Sequence, residues 1–204
     1  MTGKVPGFTF TPAAAFRGAR SYYHSTDLYE DIVSAATQNG LTFEGPIDLR
    51  MRAPVVNQPV FLFAKEPHDR ADVSASCCFG SGDDAWNVAV VQTDAPIRQK
   101  KPYDEAPIWN VCRLQDKTLS LSSKTGCRPI EVVTAMGVYL HRCLLPPGDK
   151  QRWYLAQFRL KRPLSDLDDG ALVVSMARVV GRSTTTSDIK SVNGHLGEAV
   201  FILK

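Results

Sequence analysis

The 204-residue sequence has no apolar run near the roughly 18 residues that a membrane helix needs. Met1 to Phe10 carry one lysine and no apolar stretch behind it, so no secretory signal is expected there. Excess charge is also scarce. The 24 Lys+Arg against 21 Asp+Glu leave a formal +3, far from the clustered surplus of a nucleic-acid module. The basic groups are short (Arg98, Lys100 and Lys101, then Arg159, Lys161 and Arg162) and read as solvated surface. Five cysteines, at 77, 78, 112, 127 and 143, are odd in number and fall at no zinc-knuckle spacing. They read as reduced, mostly buried thiols of a cytoplasmic protein. Four scattered histidines without adjacent acidic or thiol partners make no metal site by spacing. Gly80-Ser81-Gly82-Asp83-Asp84 lacks the Lys and the following helix of a phosphate loop and reads as a tight turn. Neither a dinucleotide fingerprint nor a Gly-x-Ser-x-Gly elbow is present. No cofactor, metal, nucleic acid or membrane is expected from these absences.

What is there is a globular pattern with 44% hydrophobic residues and two helices among many strands. The first helix is predicted from Asp27 to Gln38. Asp27 would be the N-cap, Glu30 its capping-box partner, and Asn39-Gly40 a left-handed stop. The second should start at Pro129 and present a broad apolar face from Val132 to Leu144 before Pro146-Pro147-Gly148. Alternating strands are predicted over Ile47 to Val55 and Tyr154 to Leu160. Further strands fit residues 72–79, 86–93, 172–180 and 198–203, with shorter ones at 8–11, 109–114 and 118–122. The same order (a leading strand, a helix, then strands) fills 8–97 and recurs over 108–204, with 100–107 as a polar linker. This predicts one compact domain of two pseudo-repeats.

A lone amphipathic helix followed by antiparallel strands buries both apolar faces when the sheet curls around the helix. At this point the chain resembles the hotdog superfamily in a double-hotdog arrangement, and in particular the A-factor biosynthesis family. A more distant likeness is to beta-hydroxyacyl thioester dehydratases. The residues carrying it are Tyr22-Tyr23-His24-Ser25-Thr26-Asp27 leading into Ile32 to Gln38, Gly126-Cys127-Arg128-Pro129 leading into Val132 to Met136, and Asn193 to Ala199 before a last strand. The resemblance implies an α+β fold, two helices each wrapped by a curved antiparallel sheet, with the two sheets joined into one. An antiparallel barrel with two covering helices is the alternative. Dehydrating families place an acidic residue on the central helix; the matching positions here are Ser34 and Thr134.

The candidate chemistry gathers at the two helix mouths. A helix N-terminus favours negative charge, and a histidine beside it can exchange protons near neutral pH. His24 is therefore expected as general acid or base, with Asp27 or Glu30 as its partner and Tyr23 and Ser34 as substrate contacts. In the second half Cys127, Arg128 and Thr134 are the substrate-binding candidates. His68 reads as a solvated loop residue, and His141 as a cation suited to a helix end. The expected function is cofactor-free lyase or isomerase chemistry, dehydration or cyclisation, on a polyketide-like or acyl-derived substrate of secondary metabolism. The rival readings are a non-catalytic binding or assembly module and an acyl-thioester transferase or thioesterase. A homodimer is left open.

Overall fold

The computed structural model describes residues 7–149, 151–165, 168 and 170–204; expectations for Met1 to Pro6 lie outside these. The chain divides into two compact units with the boundary after Tyr103. The first holds β1 (Phe8–Phe10), β2 (Ala15–Arg17), α1 (Ser25–Gln38), β3 (Ile47–Met51), β4 (Asn57–Ala64), β5 (Ala75–Phe79), β6 (Trp86–Pro96) and β7 (Gln99–Lys101). Within it the main sheet runs β1-β4-β6-β5-β3, all antiparallel. A separate parallel pair joins β2 to β7.

α1 ends as its sequence requires. Gly40 takes φ +71°, a conformation that costs glycine little. The Gly40 and Leu41 amides then return to the carbonyls of Thr37 and Ala36 at 3.0 and 2.9 Å. Its start differs from expectation, because the N-cap is His24 and not Asp27. Leu28, Ile32, Ala35 and Ala36 form the buried face, and Tyr29 reaches the sheet through Phe43, which packs on Phe79 at 4.4 Å.

The second unit holds α2 (Ala106–Trp109), β8 (Cys112–Gln115), β9 (Thr118–Leu121), α3 (Pro129–Leu144), β10 (Trp153–Leu160), β11 (Val173–Val180), β12 (Thr184–Ser191) and β13 (Gly194–Leu203). Its strands run β10-β13-β12-β11-β9-β8. α3 starts at Pro129 as predicted and packs on β9, β10 and β11. Gly137 is needed at that contact. A Cβ there would stand 2.2 Å from the Phe201 ring, so only glycine lets the helix approach the sheet.

Each unit is thus an α+β arrangement of one long helix and an antiparallel sheet, the architecture the hotdog resemblance implied. The two differ in strand order. Counting the last main-sheet strand before the long helix as first (β1 in the first unit, β9 in the second), the second unit reads first-third-fourth-fifth-second, whereas the first unit reads first-third-fifth-fourth-second. In the first unit the connection from β4 to β5 must therefore pass β6 to reach its partner.

Five sequence readings need correction. Strands β2, β4, β7 and β12 were not expected, and 109–114 opens with a helical turn. The supposed linker at 100–107 begins inside β7. Only Cys77 of the five thiols is buried; Cys78, Cys112 and Cys127 are half-buried and Cys143 is exposed, and none forms a disulfide. His141 is no exposed cation but lies wholly inside the second unit.

Candidate functional site

The mouth of α1 is assembled from three segments of the first unit. Register in the parallel pair sets Arg17 opposite Lys101. Both cations close on Asp27, in the first turn of α1. Arg17 Nε and Nη2 donate to its two carboxylate oxygens at 2.6 and 2.5 Å, and Lys101 Nζ donates at 2.7 Å. Arg17 and Asp27 are 2% and 4% exposed, so this is a buried ion pair with bidentate geometry. Burial alone would raise the Asp27 carboxyl, but Arg17 and Lys101 hold it below the usual carboxylate range. The guanidinium groups of Arg17 and Arg20 each stand 4.7 Å from the Tyr103 ring centre.

His24 caps the helix from the same place. Its Nδ1 accepts from the Thr26 amide at 3.4 Å and lies 2.7 Å from Thr26 Oγ1. Nδ1 is then the unprotonated nitrogen, and the neutral ring carries its hydrogen on Nε2. The ring sits between Tyr22 and Tyr103, with centroids 6.3 and 5.6 Å away. Burial, then the charges of Arg20, Arg17 and Lys101, push its pKa from 6.5 down to about 3, against a smaller pull from Asp27. Across the physiological range His24 is a neutral imidazole.

The other sequence candidates are dispersed. Tyr23 is buried behind His24; its amide donates to Val55 O at 2.7 Å and its hydroxyl donates to Asp31. Glu30 is half-buried one turn into the helix, and Ser34 lies exposed, accepting from Gln38 Nε2 at 3.0 Å. In the second unit Arg128 is the N-cap of α3 and donates to Glu131 at 2.7 Å, an exposed contact. Cys127 is half-buried, its amide donating to Thr125 Oγ1 at 3.0 Å. Thr134 is buried and donates to Ile130 O at 2.8 Å within its own helix. The first unit therefore brings His24 and Asp27 together.

Sequence reading missed Arg17, Arg20, Lys101 and Tyr103 at this mouth. Arg17 and Arg20 stand just before Tyr22-Tyr23-His24, a signal that was available. Lys101 belongs to a basic cluster read as solvated. A second polar group was also missed. His141 Nδ1 donates to Gly137 O at 2.5 Å, and its Nε2 accepts from Thr185 Oγ1. Trp153 and Phe201 cover the ring at 4.6 Å each, and burial lowers its pKa. Among the described residues no group of three or more His, Cys, Asp or Glu could hold a metal ion. No helix there is long and apolar enough to cross a membrane.

No family model matches the chain, and no curated protein does. Solved structures similar in chain path include a conserved protein with a hot dog fold from Alicyclobacillus acidocaldarius. It is 12% identical, with 100% of this chain and 93% of that chain covered and a TM-score of 0.48. An acyl-ACP thioesterase from Bacteroides thetaiotaomicron is 11% identical over 97% of this chain and 98% of its own, with a TM-score of 0.46. A pyran synthase domain from module nine of the sorangicin pathway is 13% identical over 97% and 91%, again at 0.46. At such identities the likeness fixes no activity.

Proposed function

We propose that the protein acts on an acyl-derived or polyketide-like small molecule, thioester-linked or not, by cofactor-free dehydration, cyclisation or isomerisation at the mouth of α1. The observation that carries this reading is His24, a buried imidazole that caps the N-terminus of a 14-residue helix through Nδ1, which assigns the hydrogen of the neutral ring to Nε2. Such a donor, beside the partial positive charge of the helix end, can polarise a carbonyl and hold the oxyanion that forms when a neighbouring proton leaves. His24 then acts as hydrogen-bond donor to oxygen and not as an imidazolium acid. Asp27 keeps the mouth electrostatically fixed, and Glu30 is the carboxylate proposed to take the proton. Tyr23 and Ser34 stay in the proposal as substrate contacts within the first unit; Cys127, Arg128 and Thr134 stay as substrate-binding candidates of the second unit, considered by itself. The double-hotdog arrangement, the A-factor likeness and a place in secondary metabolism belong to it too.

A second reading, a non-catalytic binding module, is favoured by the commitment of Asp27 to two cations, which makes it a weak base. The test compares wild type with His24→Asn, which keeps a good helix cap. Thermal shift and turnover are read against short acyl-CoA thioesters and aromatic polyketide-like compounds. Turnover by wild type, with binding but no turnover in the variant, is expected. Binding without turnover by both proteins would establish the module instead, and release of coenzyme A thiol would identify a thioesterase.

A further inference from the structure

The altered strand order of the first unit has a structural product. Because β4 pairs with β6, the connection 65–74 crosses over the sheet before β5 begins. Beneath it lie two rows fixed by register, Asp48–Cys78–Asn87 and Arg50–Ser76–Ala89, one residue from each of β3, β5 and β6. The middle strand offers Ser and Cys where an outward sheet face often carries long side chains. Between this floor and the crossing segment is a cavity of about 190 Å³, walled by Pro67, His68 and Val73 with Arg52 among its lining.

The wall is pinned in place. Asn87 Nδ2 donates to Lys65 O at 2.8 Å, and His68 Nε2 donates to Leu62 O at 2.9 Å. His68, expected as a solvated loop residue, is half-buried here. The Arg52 amide is tied to Ser74 O at 2.8 Å, so its guanidinium is carried by a fixed backbone. Neither that guanidinium nor the Ser76 hydroxyl has a protein partner among the described residues. Arg50 is anchored beside them by Asp48, with Nη2 to Oδ2 at 2.5 Å. A preformed cleft with a few convergent polar groups is the usual form of a small-ligand site, and this volume suits something smaller than a drug-sized molecule.

We infer that this cleft binds a small oxyanion, a carboxylate or a phosphate, with Arg52 and Ser76 as its donors, while Arg50 neutralises the Asp48 carboxylate that also lines it. Guanidinium groups match the oxygen geometry of both anions. The site is separate from the mouth of α1 and does not depend on the reaction proposed there.

The test titrates the full chain with inorganic phosphate and, separately, with acetate at constant ionic strength. Iodoacetamide labelling of each cysteine is followed by peptide mass, and backbone amide shifts of Ser76, Cys78 and Asn87 give a second readout independent of thiol reactivity. The expected result is a saturable shift of these amides and slowing of Cys78 labelling. Slowing should be about tenfold once the probe stands at about ten times its Kd, by mass action. Exposed Cys143 should be unaffected. Arg52→Ala should weaken binding and Ser76→Leu, which fills the floor, should abolish it, while Arg178→Ala in the second unit should change nothing. Binding of phosphate alone assigns a tetrahedral ligand, of acetate alone a carboxylate, and either supports the site. No saturable response to either probe, or an equal loss in Arg52→Ala and Arg178→Ala, overturns it.

Discussion

Each unit buries one neutral histidine against its long helix, and the two do so by different means. His24 caps α1 among Arg17, Arg20, Lys101 and Asp27, so both burial and neighbouring charge keep it unprotonated. His141 lies inside the second unit between two aromatic rings, with a carbonyl and a hydroxyl as partners, and burial keeps it neutral. The first environment is built of ions and sits where a helix end leaves amides unsatisfied. The second is a satisfied polar pair within an apolar core. Only the first has the electrostatic character of a site for developing negative charge.

The largest effect should come from breaking the ionic environment. Asp27→Ala strands Arg17, which is 2% exposed, without its carboxylate. Removing one partner of a buried pair costs about 3–5 kcal/mol, so urea unfolding should show a loss of that size. A loss below about 1 kcal/mol would show that water replaces the carboxylate and that the pair is effectively exposed.

The next effect is one of pH. Below 6.5 the unfolded chain binds a proton at His24 that the native state refuses until about 3. Stability is therefore fully present above 6.5 and is lost as pH falls, at about 1.4 kcal/mol per unit for one such group. His141, also lowered, contributes with the same sign. Asp27 adds its loss further down, as pH falls below the ordinary 3.8 through its depressed native value. His24→Asn should flatten the slope between pH 6.5 and 4 and leave the His141 share. An unchanged slope would place the acid sensitivity elsewhere.

In the second unit, Gly137→Ala gives a test of sign. Helix propensity alone favours alanine by about 1 kcal/mol. The new Cβ would stand 2.2 Å from Phe201, which is wholly buried under His141. Overpacking of this kind costs about 1–3 kcal/mol, so a net loss in denaturant midpoint is expected. A gain would mean that the ring moves easily and that His141 is loosely held.

Both long helices were legible because their signals are local: periodic apolar residues, Asn39-Gly40 as a stop, and proline at the first position of α3. β12 was not, because its inward face is Thr185, Ser187 and Ile189, and two of these three look polar to a hydrophobic pattern. Thr185 faces inward because His141 meets it there, a partner 44 residues away. β4 hid behind Pro59, which is tolerated because it lies past the β1 pairing and next to a register shift. Of the site, His24 and Asp27 could be read beside a helix start. Arg17 and Lys101 could not be joined to them, since three-residue strands carry no period and their pairing spans most of the first unit. The crossing of 65–74 was equally hidden, because strand order depends on long-range pairing.

Lys101 sets the smallest and most discriminating test of how ionic the first environment is. Its side chain is 42% exposed, so its hold on Asp27 is screened by solvent, unlike that of Arg17. Lys101→Met keeps the aliphatic stem and removes the charge, and should cost about 1 kcal/mol or less, shrinking further in 1 M salt. The same change relieves one of the charges that depress His24, so the histidine pKa should rise slightly, read by NMR titration. A cost near that of Asp27→Ala would mean that the carboxylate depends on the lysine as much as on the arginine. The short parallel pair that sets Arg17 opposite Lys101 would then be the structural reason this mouth exists, and the residues read as a linker would be part of the site.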